Sequence, residues 1–201
     1  MATATESGYI PVPEPKIERL LTAADLAALP AELPSGPVLY ELDNGRLIIM
    51  PPPGGEHGST ENKFSGYFLM NGELRGLGKA LCGEVGIVLW RDPDRVVGAD
   101  SVFVANCSLP IRYSKEGYLE TIPDLIVEVM SKNDSWKAMR KKIEDYLKAG
   151  ARVIWVADRS ARTVTEFRAG QEEKVYTDKE TLTVEDVIPG FQLPVAVVFQ
   201  D

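Results

Sequence analysis

Apolar residues recur along this chain in two patterns: short runs typical of strands and wider spacings typical of amphipathic helices. The runs that predict strands are 38–43, 46–50, 80–90, 96–105, 123–130, 153–157 and 163–167. The spacings that predict helices cover 16–29, 59–76 and 134–148. Asn44-Gly45, between the first two runs, is the dipeptide most typical of a tight hairpin turn. These runs therefore predict an antiparallel hairpin, followed by a loop rich in Pro and Gly that carries His57.

The later elements predict a β–α–β unit. A buried strand at 123–130 precedes a helix at 134–148, which Gly150 ends, and a second buried strand follows at 153–157. Such a crossover predicts parallel pairing of the two strands. Together with the antiparallel hairpin, it predicts a mixed sheet in a single α/β domain over residues 15–201.

Composition narrows the class of protein. Hydrophobic residues make up 44% of the 201 residues, which is enough for one full core. No apolar run reaches the roughly 18 residues of a membrane-spanning helix, and no signal peptide is evident. Cys82 and Cys107 lie within or just after strand-like runs and predict buried, reduced thiols. We therefore expect a soluble, cytoplasmic protein without a membrane partner, with residues 1–14 as a flexible arm.

Charge is distributed unevenly along the chain. The net charge of −8 argues against a protein that coats nucleic acid nonspecifically. Residues 132–152, however, contain seven basic and three acidic residues and so carry +4, which leaves −12 on the remainder. This basic segment can meet a phosphate backbone, although most basic helix faces are simply solvated.

Two carboxylates lie inside apolar strands, where an unpaired charge is costly. Glu128 lies in the run 123–131, and Asp100 lies in the run 96–104. If these strands are neighbours, both carboxylates can point into one pocket and bind a hard cation such as Mg²⁺. Such a cation lowers the pKa of a bound water and stabilises charge on a phosphate. The alternative is that each acid lies at a strand end, in solvent or paired with a lysine.

Further polar side chains extend this candidate set. Lys142 lies on the predicted helix, with Tyr146 one turn later on the same face. Lys142 either reaches inward to stabilise charge on a phosphate or remains a surface lysine among basic neighbours. Glu41 either completes a metal shell or pairs with Arg46 across the hairpin. His57, the single histidine, either binds substrate, acts as a base, or does neither.

Several motifs occur in a characteristic order. They are 40–47 (YELDNGRL), His57-Gly58, Asp100, 123–131 (PDLIVEVMS), the spaced residues Lys142, Tyr146 and Gly150, and 155–158 (WVAD). This order resembles that of the Uma-type restriction endonucleases, a bacterial branch of the PD-(D/E)XK nuclease superfamily, from about residue 20 to the C-terminus. The resemblance implies a restriction-endonuclease-like core with a mixed central β-sheet flanked by helices. It also implies hydrolysis of DNA that depends on Mg²⁺ or Mn²⁺.

The same resemblance implies roles for individual residues. The expected metal ligands are Asp100, Glu128 and the accessory acid Glu41. The expected catalytic residues are these three acids and Lys142. The expected substrate-binding residues are His57 and Tyr146.

Three positions depart from the superfamily pattern. Ala99 replaces the proline usual before the first aspartate, which should alter only the start of the strand. The superfamily's usual lysine follows the glutamate by two residues, where this chain has Met130. Lys142 must then supply the lysine from the helix. Ala138 occupies a position where relatives often carry an aspartate, one turn before Lys142.

Three functions remain open from the sequence. The first is an Mg²⁺-dependent DNA endonuclease, with DNA as its partner and a homodimer as a common arrangement for such enzymes. The second is an inactive nuclease-fold module for partner binding or dimerisation. The third is a metal-dependent hydrolase of a small phosphate ester, which fits the acidic surface better.

Overall fold

The computed structural model describes residues 19–132 and 134–200, and its central feature is a mixed sheet of eight strands. The strands are β1 (Glu32–Leu33), β2 (Gly36–Pro37), β3 (Leu39–Asp43), β4 (Arg46–Met50), β5 (Gly78–Trp90), β6 (Arg95–Ala105), β7 (Leu125–Met130), β8 (Val153–Asp158), β9 (Thr163–Phe167), β10 (Lys174–Tyr176), β11 (Thr181–Leu182) and β12 (Leu193–Pro194). The helices are α1 (Ala23–Ala27), α2 (Gly55–Asn71), α3 (Trp136–Ala149) and α4 (Val195–Val198), with 3₁₀ turns at Glu73–Arg75 and Asn106–Ser108.

The strands of the main sheet follow the order β10-β9-β8-β7-β6-β3-β4, and β5 also pairs with β6. Strands β7 and β8 are parallel, and the other pairs of this sheet are antiparallel. The predicted β–α–β unit and mixed sheet are therefore confirmed. Because β6 and β7 are direct neighbours, the strands that carry Asp100 and Glu128 lie side by side.

The hairpin of β3 and β4 turns at Asn44 and Gly45, as predicted. Both residues have positive φ angles, 51° and 78°, which is the geometry of a type I′ turn. The register pairs Arg46 with Asp43 and places Ile48 opposite Glu41. Of the two alternatives for Glu41, the pairing with Arg46 is not formed, because Glu41 pairs with Arg95 and Lys142 instead.

Helices cover both faces of the sheet. Helix α2 packs Phe64 and Phe68 against Trp155 of β8, with ring centroids 6.2 Å from the tryptophan in each case. Helix α3 packs Met139 and Ile143 into a separate apolar cluster on the other face. Alternation along β7 explains this division, since Leu125, Val127 and Val129 join the α2 cluster and Ile126 joins the α3 cluster. Helices thus flank the sheet, as predicted.

Several local predictions need correction. Helix α2 begins at Gly55, so that His57 lies in its first turn and not in a loop. Glycine and proline before His57 suggested a loop, but Gly54 serves as the N-cap in an extended conformation. Cys82 and Cys107 are exposed and unpaired, contrary to the predicted burial. Cys82 adjoins an irregularity in β5, and Cys107 lies in a 3₁₀ turn, so neither joins the alternating core pattern.

The N-terminal predictions are tested in part. Helix α1 spans Ala23–Ala27, and Thr22 caps it through a capping box with Asp25. The predicted helix over 16–29 is therefore shorter than expected, and its first residues lie outside the described ones, as does the predicted arm 1–14. Within the described parts of the chain, every helix is too short or too polar to cross a membrane.

Candidate active site

Helix α3 supplies a lysine and a tyrosine to the interior of the molecule. The hydroxyl of Ser135 accepts a hydrogen bond from the backbone N–H of Ala138 and begins the helix, and Gly150 ends it in the left-handed conformation. Lys142 and Tyr146 are one turn apart and face the sheet together. The helix therefore fixes both side chains toward β7.

The ammonium group of Lys142 lies between two carboxylates. Its Nζ is 3.0 Å from Oε1 of Glu41 and 3.0 Å from Oε2 of Glu128, and it donates a 2.7 Å hydrogen bond to the carbonyl oxygen of Gly98. The side chain of Lys142 is 17% exposed. Lys142 therefore reaches inward and does not lie among the surface lysines.

Both oxygens of Glu128 are engaged. Oε2 contacts Lys142, and Oε1 accepts a 2.6 Å hydrogen bond from the hydroxyl of Tyr146. Tyr146 is completely buried. The structure thus places Tyr146 behind Glu128 as a support for that carboxylate, and its contact with a substrate stays a prediction.

Burial governs the charge state of this cluster. Loss of solvent around Glu128 raises its pKa to about 8, although the neighbouring ammonium of Lys142 favours its ionised form. Burial alone would lower the pKa of Lys142, but the adjoining carboxylates, Glu128 first, raise it well above its usual value. The lysine is therefore the fixed positive charge of the cluster.

Glu41 is held from its other side by Arg95, a residue that sequence reasoning missed. Arg95 is nearly inaccessible and donates hydrogen bonds to the carbonyl oxygen of Leu42 at 2.9 Å and to Asp145 at 2.8 Å. Its NH1 lies 3.4 Å from Oε2 of Glu41. Glu41 also accepts a 3.0 Å hydrogen bond from the backbone N–H of Gly98. This buried network fixes the orientation of the Glu41 carboxylate.

Asp100 of β6 is buried and adjoins β7 directly. Its Oδ2 accepts a 2.6 Å hydrogen bond from the backbone N–H of Val129, the residue after Glu128. The same oxygen lies 3.3 Å from Nε2 of His57 on helix α2. Asp100 therefore contacts the α2 side of the sheet, whereas Glu128 contacts α3. That His57 binds substrate stays a prediction.

Two further carboxylates, absent from the sequence prediction, lie near Asp100. Glu61 follows His57 by one helical turn, and one donor atom each from His57, Glu61 and Asp100 lies within 4.8 Å of the others. Glu84 lies in a bulge of β5, where Gly83 and Glu84 together lie opposite the single residue Asp100 of β6. Gly83 and Glu84 have positive φ angles of 87° and 56°. Burial raises the pKa of Glu84 to about 7, and the charge of Asp100 adds to this shift.

A glycine leaves room for these carboxylates. A Cβ atom at Gly98 would lie 2.9 Å from Oε2 of Glu84 and 3.9 Å from Oε1 of Glu41. The missing side chain thus opens a space between the two acids. Near it, the carboxylates of Asp100 and Glu61 and the imidazole of His57 form a donor set suited to a divalent cation.

Comparisons with known proteins show the family and the fold of this chain. A family model, Uma2, described as "Putative restriction endonuclease", matches residues 24–196. The chain belongs to this family. A solved structure described as a putative nuclease belonging to DUF820, from Anabaena variabilis, has a TM-score of 0.70 at 20% identity over 88% of this chain and 96% of that chain. It confirms the nuclease-like fold, and the curated proteins give no match.

Met130 and Ala138, two of the positions where this Uma2 chain departs from the superfamily pattern, differ in their surroundings. Met130 ends β7 and packs, partly buried, against the apolar cluster beneath α3. Ala138 is exposed in the first turn of α3. Met130 therefore lies in the same strand as Glu128, two residues later, whereas Ala138 lies on the helix.

Most of the basic charge in the segment 132–152 of the Uma2 chain is already paired. Four of its seven cations form ion pairs with carboxylates of the same chain, namely Arg140, Lys141, Lys142 and Arg152. The +4 counted along the sequence therefore overstates the positive charge offered to a phosphate backbone.

Proposed function

We propose that this chain is a divalent-cation-dependent endonuclease that hydrolyses phosphodiester bonds in DNA. The observation that carries the proposal is the position of the Lys142 ammonium, 3.0 Å from the carboxylates of both Glu41 and Glu128. Glu128 lies on the strand next to that of Asp100. Carboxylates that hold a cation, beside a lysine that stabilises negative charge, suit the hydrolysis of a phosphate diester.

Mg²⁺ or Mn²⁺ is the proposed cation, with Asp100, Glu128 and Glu41 as its predicted ligands. The donor chemistry fits, because carboxylate oxygens are the preferred ligands of both ions. When bound, the cation would lower the pKa of a water ligand and stabilise charge on the phosphate. Tyr146 and Arg95 hold the two glutamates in place, which limits their reorganisation.

Lys142 is the proposed catalytic lysine. Its ammonium is anchored by the carbonyl oxygen of Gly98 and lies in surroundings with little solvent. Electrostatic attraction is stronger there than in water, so the ammonium can stabilise the negative charge that develops on the phosphate oxygens. Tyr146 acts in this proposal through Glu128, whose carboxylate it positions.

DNA is the proposed substrate because the family is described as restriction endonucleases. Lys132 and Lys137 lie exposed before and within the first turn of α3, the helix that carries Lys142. They are candidates for contacts to the phosphate backbone, and such contacts do not depend on the sequence of the DNA.

Cleavage of supercoiled plasmid tests the proposal. The wild-type chain should cut the plasmid with Mg²⁺ or Mn²⁺ and lose this activity in EDTA. Glu128→Gln should reduce the rate by about 100-fold, since it removes a charge from the cation site. Nicked circles would indicate cleavage by single copies, whereas linear DNA would indicate a homodimer that cuts both strands.

The matched control is Glu173→Gln, which removes an exposed carboxylate paired with Arg140. It should cleave as fast as the wild type. Cleavage that survives EDTA, or equal rates for the wild type and Glu128→Gln, would contradict the proposed site. Absence of cleavage on plasmid and on single strands would contradict the endonuclease and leave the inactive module or the phosphoesterase.

A further inference from the structure

The α2 side of Asp100 carries a donor set that differs from the predicted one. His57 and Glu61 are four residues apart on α2 and therefore lie on one face of the helix. Their donor atoms and that of Asp100 lie within 4.8 Å of one another. Among the residues that the structure describes, no other three metal-ligating side chains lie this close together.

One ring nitrogen of His57 lacks a protein partner. Its Nε2 lies 3.3 Å from Asp100, while Nδ1 is buried and has no hydrogen-bond partner among the described residues. In a neutral imidazole one nitrogen is a donor and the other an acceptor. If Nε2 donates to Asp100, the lone pair of Nδ1 is unused. If Nε2 has the lone pair, it faces a carboxylate. In this second tautomer, a cation between Nε2 and Asp100 would satisfy both groups.

The α3 side of Asp100 is less suited to a cation in this conformation. The ammonium of Lys142 already lies between Glu41 and Glu128, and a second positive charge there would be repelled. The α2 side instead has three carboxylates, those of Asp100, Glu61 and Glu84. In the described part of the chain, no lysine or arginine forms an ion pair with any of these three.

We infer that His57, Glu61 and Asp100, with Glu84 beside them, form a site for a divalent transition metal such as Mn²⁺. This inference rests on the proposed cation dependence and adds His57 and Glu61, on the α2 side, to Asp100 among the ligands. Imidazole is a poor ligand for Mg²⁺, which takes oxygen donors and keeps several waters. A site with one imidazole and carboxylates therefore binds Mn²⁺ in preference to Mg²⁺.

The placement of each ligand supports a preformed site. The backbone N–H of Gly83 donates a 2.7 Å hydrogen bond to Oε1 of Glu61 and so orients that carboxylate. The neighbouring insertion brings Glu84 toward Asp100, and the absence of a side chain at Gly98 leaves space for it. Helix α2 and strand β6 thus contribute the ligands and β5 orients one of them, so the site requires the folded chain.

Titration of the full chain with Mn²⁺, followed by electron paramagnetic resonance of the free ion, measures binding without reference to cleavage. The wild type should bind Mn²⁺ at least about tenfold more tightly than Mg²⁺, which a competition titration reports. His57→Gln and Glu61→Gln should each weaken Mn²⁺ binding about tenfold or more. His57→Gln should also reduce the preference for Mn²⁺ over Mg²⁺.

One control and one comparison separate this site from its surroundings. The control Glu56→Gln removes an exposed carboxylate next to His57 and should bind Mn²⁺ as the wild type does. The comparison Glu128→Gln removes a buried carboxylate on the α3 side, and it should weaken Mn²⁺ binding less than His57→Gln does. Loss of binding in Glu128→Gln with none in His57→Gln and Glu61→Gln would overturn the inference, as would a wild type that binds no Mn²⁺.

Folding and function are tested separately. Circular dichroism shows whether each variant is folded, and if His57→Gln is not, Glu61→Gln and the Mn²⁺-induced rise in melting temperature of the wild type decide the question. Binding of Mn²⁺ at this site without cleavage of DNA would support the inference and contradict the proposed nuclease. Cation-dependent cleavage by the wild type, together with normal Mn²⁺ binding by His57→Gln and Glu61→Gln, would support the proposed nuclease and contradict the inference.

Discussion

The Nζ atom of Lys142 lies 3.0 Å from Oε2 of Glu128 and joins helix α3 to strand β7. The two residues are fourteen positions apart, although the superfamily pattern places its lysine two positions after the glutamate. The β–α–β crossover returns the helix to the strand, and the lysine thereby reaches the same carboxylate. A lysine at either of two distant sequence positions can therefore place its ammonium beside the same glutamate.

Removal of Lys142 should affect both folding and activity. Lys142→Met leaves the buried carboxylate of Glu128 without its cation and Glu41 with Arg95 alone. Loss of one partner of a buried pair costs about 3 kcal/mol. Cleavage should also be lost. Urea unfolding measures the free energy, and Lys141→Met, which removes an exposed partner of Asp43, should cost less than about 1 kcal/mol. Equal costs for the two variants would show that the buried ion pair of Lys142 adds no more stability than the exposed ion pair of Lys141.

A lysine at position 130 should partly replace Lys142. Met130 and Glu128 are two residues apart in β7 and so project from the same face of the strand. In the Lys142→Met background, Met130→Lys should recover part of the lost cleavage, because it returns an ammonium to the same carboxylate. Met130→Gln in that background is the control, since it adds a polar group without charge. Equal activity of the two double variants would argue against a role for the lysine charge.

Local patterns predicted those parts of the site that depend on local structure. The alternation in β7 identified Glu128 as a charge in an apolar strand, and the spacing on α3 placed Lys142 and Tyr146 on one face. Arg95 was missed because it meets Glu41 across 54 positions, a contact that no local periodicity encodes. Glu84 was missed because one extra residue in β5 interrupts the alternation there, and the sequence pattern does not reveal such a bulge.

Gly98 should matter for cation binding more than for folding. In Gly98→Ala, the new Cβ would lie 2.9 Å from Oε2 of Glu84 and displace that side chain. We expect Mn²⁺ binding to weaken about tenfold, as for other perturbed ligand shells. Gly58→Ala is the control, because a Cβ at that position, next to His57, meets no atom within 4 Å. Unchanged Mn²⁺ affinity in Gly98→Ala would show that Glu84 is not needed.

Gly66 offers a route to a more stable chain. It lies in the interior of α2, and a Cβ there would meet no atom within 4 Å. Gly66→Ala should raise the free energy of unfolding by about 0.5–1 kcal/mol, because alanine loses less conformational freedom in a helix than glycine. Thermal and urea unfolding measure the change, and a destabilised variant would show that α2 needs the glycine.

The pairing of Asp186 with Arg168 should make stability depend on acid pH. Arg168 donates to both oxygens of Asp186, at 3.0 and 3.1 Å, and Arg152 donates to one of them at 3.0 Å. Hydrogen bonds from Arg168, opposed by burial and aided by both positive charges, lower the pKa of Asp186 in the folded chain. A folded-state pKa below the unfolded value stabilises the fold above the unfolded pKa, near 3.9 for aspartate, and this contribution is lost as pH falls.

The variant Asp186→Asn removes this contribution. Because the side chain of Asp186 is 45% exposed, solvent screening limits the expected loss at pH 7 to about 1 kcal/mol or less. The difference in unfolding free energy between wild type and variant should shrink between about pH 5 and about pH 2, as the wild-type carboxylate takes up its proton. Urea unfolding at several pH values measures it, with Asp178→Asn, an aspartate after β10, as the control. A difference that stays constant with pH would show that the lost contact is not electrostatic.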